Sequence, residues 1–196
     1  VDFTLSLNVT SSERDVDNNV VTTATTSYPI PVSITGVADA LGVTVNHANV
    51  TDGSTVTVNG TEDEAIPLDI TAATADKDGS ETISVTISGV PDGATLTAGT
   101  DNGNGTWTLT PDQLAGLKLN PPANSDVDFT LQVTATTTEN DGDTKSLTTN
   151  IDVALNAVAD DPTLEVGNAG GAEDTPIALE IASSLTDTDG SESLSI

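Results

Sequence analysis

One stretch of this 196-residue chain repeats another, and that repetition constrains the fold more than any composition. Val1-Asp2-Phe3-Thr4-Leu5 returns as Val127-Asp128-Phe129-Thr130-Leu131, 126 positions later, and Val37-Ala38-Asp39 returns as Val158-Ala159-Asp160, 121 positions later. Glu62-Asp63 with Ile66 returns as Glu173-Asp174 with Ile177, and Asp76-Lys77-Asp78-Gly79-Ser80-Glu81 as Asp187-Thr188-Asp189-Gly190-Ser191-Glu192, both 111 positions later. Four landmarks in one order define a repeating unit. The shrinking offset places insertions in the first copy, before Val37 and between Asp39 and Glu62. One complete unit then covers residues 38–159, residues 1–37 close a preceding unit, and residues 160–196 open a following one. The chain reads as a window on a tandem array.

A unit near 120 residues suits one β-sandwich. Its apolar residues alternate with polar ones at Ile66, Leu68 and Ile70, at Ile83, Val85 and Ile87, at Val127, Phe129, Leu131 and Val133, and at Ile151, Val153 and Leu155. Period two means strands with one buried face. Gly89-Val90-Pro91-Asp92-Gly93, Asn102-Gly103-Asn104-Gly105 and Asn140-Asp141-Gly142-Asp143 supply turn chemistry between them. Thr110-Pro111-Asp112-Gln113 reads as the capped start of one short helix ending at Gly116. Trp107 shares a face with Leu109 and is expected in the inter-sheet core. Val43, Val45, Val56 and Val58 alternate around Asp52-Gly53, which reads as an extra hairpin or edge ribbon at the front of the unit. The fold class expected is all-β.

Charge sets what such a fold can meet. Asp and Glu number 31 against 4 Lys and Arg, a formal charge of −27. Nucleic acid and anionic membrane surfaces need clustered cations, and Arg14, Lys77, Lys118 and Lys145 stand apart. No apolar run approaches the roughly 20 residues of a spanning helix, so direct membrane insertion is not expected. The N-terminus lacks a basic stretch followed by an apolar one, and the chain reads as a soluble segment of something longer. Cys is absent, which excludes disulfides and thiolate metal sites. Catalysis is not expected: His47 has no second His or Cys to join it, and four aromatic residues cannot line a sugar cleft between paired carboxylates.

The acids gather in loops. If the first strand is 66–71 and the last 147–156, alternating directions put Asp76, Asp78 and Glu81 beside the outgoing linker Asp160-Asp161-Pro162. Glu139, Asp141 and Asp143 then lie with Asp39, Glu62 and Asp63 at the incoming end. A single Asp-Gly-Ser loop is more often a solvated turn. Recurrence of both acidic motifs in two units, facing linkers, points instead to calcium, which takes 6 to 8 oxygen ligands and accepts bidentate carboxylates and carbonyls. Magnesium fits less well because it demands octahedral geometry and holds its water. The candidate ligands are Asp39, Glu62, Asp63, Asp76, Asp78, Glu81, Asp141, Asp143, Asp160 and Asp161, with the later copies Glu173, Asp174, Asp187, Asp189 and Glu192. Among the acids, Asp15, Asp17, Asp141 and Asp143 carry a weaker signal. The Asp-x-Asp-Gly-Ser-Glu run is too short for an EF-hand and joins strands.

Taken together, Glu62-Asp63, Asp76-x-Asp-Gly-Ser-Glu81, Gly105-Thr106-Trp107-Thr108-Leu109-Thr110, Leu114-Ala115-Gly116-Leu117 and Val158-Ala159-Asp160-Asp161-Pro162 resemble the cadherin-like, immunoglobulin-like tandem repeats of giant bacterial repeats-in-toxin adhesins. The resemblance runs over essentially the whole chain. It implies tandem Greek-key sandwiches in an extender region, rigidified by calcium at the junctions, exported by a type I route and projecting an adhesive tip from a Gram-negative cell surface in adhesion and biofilm formation. Neighbouring repeats of the same chain are the expected partners, with strand pairing through the incomplete terminal units a further expectation. An alternative is a ligand-binding module that recognises a glycan or protein through the 43–58 ribbon or through calcium.

Overall fold

Strand pairing reproduces the repeat residue by residue in a computed structural model, which describes residues 2–76, 79–187 and 189–195. Strands β1 (Phe3–Arg14) and β2 (Val20–Val32) form a hairpin in which Phe3 faces Val32 and Leu5 faces Ile30. Further along come β3 (Leu41–Val45), β4 (Ala48–Asn49), β5 (Thr55–Thr61), β6 (Ile66–Pro67), β7 (Thr71–Thr74) and β8 (Glu81–Ser88). The short β9 (Thr95–Leu96), β10 (Thr100–Asp101), β11 (Trp107–Leu109) and β12 (Lys118–Asn120) follow. The long β13 (Phe129–Glu139) and β14 (Thr144–Asn156) pair with Phe129 opposite Val153 and Leu131 opposite Ile151, the β1–β2 register carried forward by 126 and 121 positions. In β15 (Thr163–Val166) and β16 (Ile181–Ser184), Thr163 faces Ser184, as Gly42 faces Ala73 between β3 and β7.

Residues 38–159 fold as an all-β sandwich. One sheet has six strands in the order β10-β11-β8-β13-β14-β5, and the facing layer is built from β4-β3-β7 and β6-β12-β9. A single core joins the layers: Val43, Val45, Ile66 and Leu68 from one, Val85, Ile87, Leu131 and Ile151 from the other. Trp107 is half-buried against that core, as its pattern predicts. The capped turn forms a 3-10 helix, Pro111–Leu114, in which Gln113 Oε1 accepts the Thr110 N–H at 2.9 Å.

Three expectations change. The stretch 43–58 is no appended ribbon: β3 sits between β4 and β7, and β5 lies at the edge of the main sheet, parallel to β14. Its hairpin turns at Asn46 and His47, both left-handed at φ 46° and 64°, while Asp52-Gly53 instead locks onto β14, Gly53 N–H donating to Thr148 O at 2.8 Å. The Ile66-Leu68-Ile70 strand is broken at Asp69 (φ 44°), so β6 and β7 pair with different partners although all three apolar residues are buried. Val127 lies outside β13 and is exposed.

The extra traverse by β5 has the largest consequence. β14 runs from the incoming to the outgoing end, and β5, parallel to it, delivers Glu62 to the outgoing end. β7 then returns, placing Asp76 and Glu81 at the incoming end. The strand count that started at Ile66 missed one crossing and exchanged the two ends.

Candidate metal centre

At the outgoing end the chain leaves β5 through Glu62 and Asp63, the latter left-handed at φ 61°, as its copy Asp174 is at 62°. Glu62 folds beneath the outgoing linker, 1% exposed, and its Oε1 accepts the Val158 N–H. Its Oε2 is buried with no hydrogen-bond partner. Across the junction the loop after β16 coils on itself. Asp187 Oδ1 accepts the Asp189 N–H at 2.8 Å, Asp189 Oδ1 accepts the Ser191 N–H at 2.8 Å, and the Ser191 hydroxyl donates to Asp187 Oδ2 at 3.0 Å. Glu62, Asp187 and Asp189 each bring one carboxylate oxygen within 4.8 Å of the others.

A third segment closes the group. The loop between β12 and β13 sends the Asn124 N–H to Asp63 Oδ1 at 2.9 Å and the Asp126 N–H to Asp189 Oδ2 at 3.1 Å. The linker is tied as well: the Asp160 N–H donates to Glu192 Oε1, and the Thr186 hydroxyl to Asp161 O at 2.7 Å. Asp160 Oδ2 and Glu192 Oε2 are buried without partners.

These groups titrate each other. The Val158 N–H is the largest influence on Glu62 and favours its ionised form, but burial and the charges of Asp187, Asp63 and Asp189 together outweigh it and push the carboxyl up. Asp160 is pushed up by burial, then by Asp63, Glu192, Asp187 and Asp161. Asp189 goes the other way, held below the usual range by the N–H groups of Ser191 and Asp126. Asp126, sharing a hydrogen bond with Asp189, is raised. Every charged neighbour named here is a carboxylate, and such a group is unfavourable unless a cation joins it.

The incoming end carries the same fixture. The Asp39 N–H donates to Glu81 Oε1, and Glu81 Oε2 is buried without a partner, as in Asp160 and Glu192. The β13–β14 turn grips the linker from the other side, Asp141 Oδ2 accepting the Gly36 N–H and Asp143 Oδ2 the Ala38 N–H, both at 2.9 Å. A Cβ on Gly36 would stand 2.9 Å from the Glu139 carboxyl carbon, so any side chain there requires the Glu139 carboxylate or the linker to move. Asp76, Ser80, Glu139 and Asp141 line one recess there. Asp78 lies outside the described residues.

The structure therefore groups Asp39, Asp76, Glu81, Asp141 and Asp143 at one end and Glu62, Asp63, Asp160, Asp161, Asp187, Asp189 and Glu192 at the other. The expected grouping of Glu62 and Asp63 with the β13–β14 turn, and of Asp76 and Glu81 with the outgoing linker, is corrected by the β5 traverse. Glu173 and Asp174 are exposed and share no hydrogen bond with either group among the described residues. Asn124 and Asp126 escaped the sequence reading because their counterparts would precede Val1, so no repetition marks them. Superposed by the repeat offsets, the two ends are partial views of one junction: a Glu-Asp pair, a linker Asp, the Asp-x-Asp-Gly-Ser-Glu loop and a hairpin turn.

Oxygen-only donors, several of them buried and unpaired, form a cluster that could hold a hard metal ion. No helix among the described residues is long and apolar enough to cross a membrane. No protein-family model matches the chain, and no curated protein is similar to it in sequence.

Proposed function

We propose that this chain belongs to a calcium-rigidified extender of a bacterial cell-surface adhesin, whose sandwiches stand in series and project an adhesive tip. The observation that carries the reading is Glu62 Oε2, buried and unpartnered at a domain junction, beside Asp187 and Asp189 of the next unit. A lone buried carboxylate oxygen among other carboxylates is costly, and a divalent cation removes that cost. Calcium suits the site because it tolerates a high and irregular oxygen count. The repeated Asp N–H to Glu bond at both linkers supports a fixed angle at each junction. Free calcium is low inside cells and high outside, so the junctions stiffen after export.

The alternative is a ligand-binding module acting through the 43–58 segment or through calcium; Val43, Val45, Val50 and Val58 of that segment are committed to the core, which leaves its exposed loops and the cation site as the surfaces such a module would use. Calorimetric scans with calcium and after chelation test the proposal. A rise in melting temperature with calcium supports it. Identical melting in both conditions overturns it.

A further inference from the structure

The complete unit carries an edge strand for which the following unit has no length of chain. Seventeen positions separate Val45 from Glu62, whereas seven separate their counterparts Val166 and Glu173. The surplus turns back after β3, forms β4 and runs forward again as β5, toward the end that β3 already faced. A path from β3 to the Glu-Asp pair therefore needs no β5, and the following unit takes the shorter one. Buried Val58 and half-buried Val56 seat the added strand on the core. Its other side is open. The Asn150 N–H donates to Ser54 O at 2.8 Å and the Glu62 N–H to Asn156 O at 3.2 Å, so the even-numbered residues of β5 bond to β14. Alternation turns the N–H and C=O groups of Thr55, Thr57 and Asn59 away from the sheet, and all three residues are exposed.

Sheet edges are ordinarily blunted by shortness, charge, proline or a bulge. The unit's other edge strands, β4, β6, β7, β9 and β10, have two to four residues. β5 has seven, in unbroken register, with neither a charged residue nor a proline. In a chain of charge −27 that neutrality selects the partner. The flanking acids turn to their own unit: Asp52 Oδ1 accepts the Thr148 N–H at 2.9 Å, and Glu62 lies buried beneath the linker. A cationic partner is drawn to the acidic surface elsewhere, whereas a second copy, repelled elsewhere, meets no like charge along residues 55–59.

We propose that β5 of one copy pairs antiparallel with β5 of a second copy about a twofold axis at Thr57, joining their six-stranded sheets edge to edge. Thr57 faces its own mate, and Thr55 faces the partner's Asn59. All the outward N–H and C=O groups of these three residues are then satisfied, and the contact closes as a dimer. Because β5 runs from the incoming to the outgoing end, the two copies point in opposite directions. On the extender reading, on which this consequence alone rests, such pairing suits rods that project from facing surfaces. Two short edges bury much less than the roughly 1,200 Å² of a stable interface, so a single contact is transient and is best read by trapping it.

The chain has no cysteine, so disulfide trapping in the 196-residue protein tests this cleanly. Across the twofold axis the two Thr57 Cα atoms stand about 5.5 Å apart, within the roughly 4.4 to 6.8 Å that a disulfide spans. The two Thr55 Cα atoms, four residues out of register, stand about 14 Å apart, as do the two of Asn59. Under mild oxidation Thr57→Cys is expected to give a covalent dimer, while Thr55→Cys and Asn59→Cys each stay monomeric alone and link to one another when mixed. Adding Asn59→Pro to Thr57→Cys removes an outward N–H without touching the bonds to β14 and is expected to abolish the link. Melting curves with and without calcium, taken on the same samples, report folding and the calcium reading separately. A folded Thr57→Cys chain that stays monomeric overturns the pairing. So does Thr55→Cys dimerising as readily as Thr57→Cys, which marks chance collision. A register-specific link in a chain whose melting ignores calcium supports the pairing and overturns the calcium reading alone.

Discussion

Val158 donates its main-chain N–H to Oε1 of Glu62, a residue 96 positions earlier in the chain. This one bond ties the outgoing linker to the end of β5 and fixes how the Glu62 carboxylate lies. The other oxygen is left without a protein partner and faces the following unit. Because the linker is held by main-chain N–H bonds to carboxylates that repel one another, it is expected to stiffen when a cation joins them and to loosen when the cation is removed.

Glu62→Gln keeps the shape of that side chain and removes its charge. The calcium-free chain is expected to melt higher than wild type, because a buried charge among like charges has been deleted. Calcium affinity is expected to fall by more than the roughly 10- to 100-fold typical of outer-shell partners. Titration calorimetry paired with melting curves reads both effects. A variant that binds calcium as wild type does would remove Glu62 from the site.

The pH response of the calcium-stripped chain follows from the raised carboxyls. Glu62 and Asp160 hold a proton more tightly folded than unfolded, so in their ionised state near neutrality they subtract from stability. As pH falls through their raised folded values toward the ordinary 4.5 and 3.8, that penalty disappears and the melting temperature rises. Below 3.8 the sign turns, since Asp189, Asp15 and Asp2 have lowered carboxyls and lose their contribution as they are protonated. With calcium saturating, protons compete for the ligands and acidification lowers the melting temperature throughout. Opposite slopes as the pH falls from neutrality toward 4.5 are the expected signature.

Val45→Asp separates a core strand from an appended ribbon. Val45 is fully buried in β3, and an unpaired charge there is expected to cost several kcal/mol, enough to unfold a domain of ordinary stability. Circular dichroism of the variant checks this. A chain that still melts cooperatively near the wild-type temperature would return 43–58 to the surface.

Gly36→Val places side-chain atoms where the Glu139 carboxylate lies. Either the Glu139 side chain or the incoming linker must shift, and displacement of the linker breaks the Gly36 and Ala38 bonds to Asp141 and Asp143 at a cost of about 1 to 3 kcal/mol. Amide exchange is expected to speed at Gly36 and Ala38 while the Val158 amide, at the other end, keeps its protection.

Much of this architecture is written in the chain, and the exceptions have physical causes. Ile83, Val85, Leu131 and Ile151 announce their strands because one face is buried and one wet. Ile66, Leu68 and Ile70 announce burial equally well, yet alternation cannot show that Asp69 bends the backbone and hands the strand to a second partner. Asp52-Gly53 looks like the better hairpin, but the turn at Asn46-His47 wins because it lets β3 pair with β7 inside the core. The carboxylates of the site were legible through their repetition. Their grouping was not, because it depends on how many times the chain crosses the sandwich, and β5, an edge strand parallel to its neighbour, carries no pattern that distinguishes it. Asp126 had no second copy to reveal it.

If calcium exceeds its dissociation constant 100-fold, each site adds about 2.7 kcal/mol to the folded state. Several such sites would govern a domain with few aromatics and no disulfide. The most direct measurement is anomalous diffraction from crystals grown in calcium. The account predicts an anomalous peak at roughly 2.3 to 2.6 Å from Glu62 Oε2 and from carboxylate oxygens of Asp187 and Asp189. Ordered water at that position, with no anomalous signal in saturating calcium, would contradict it.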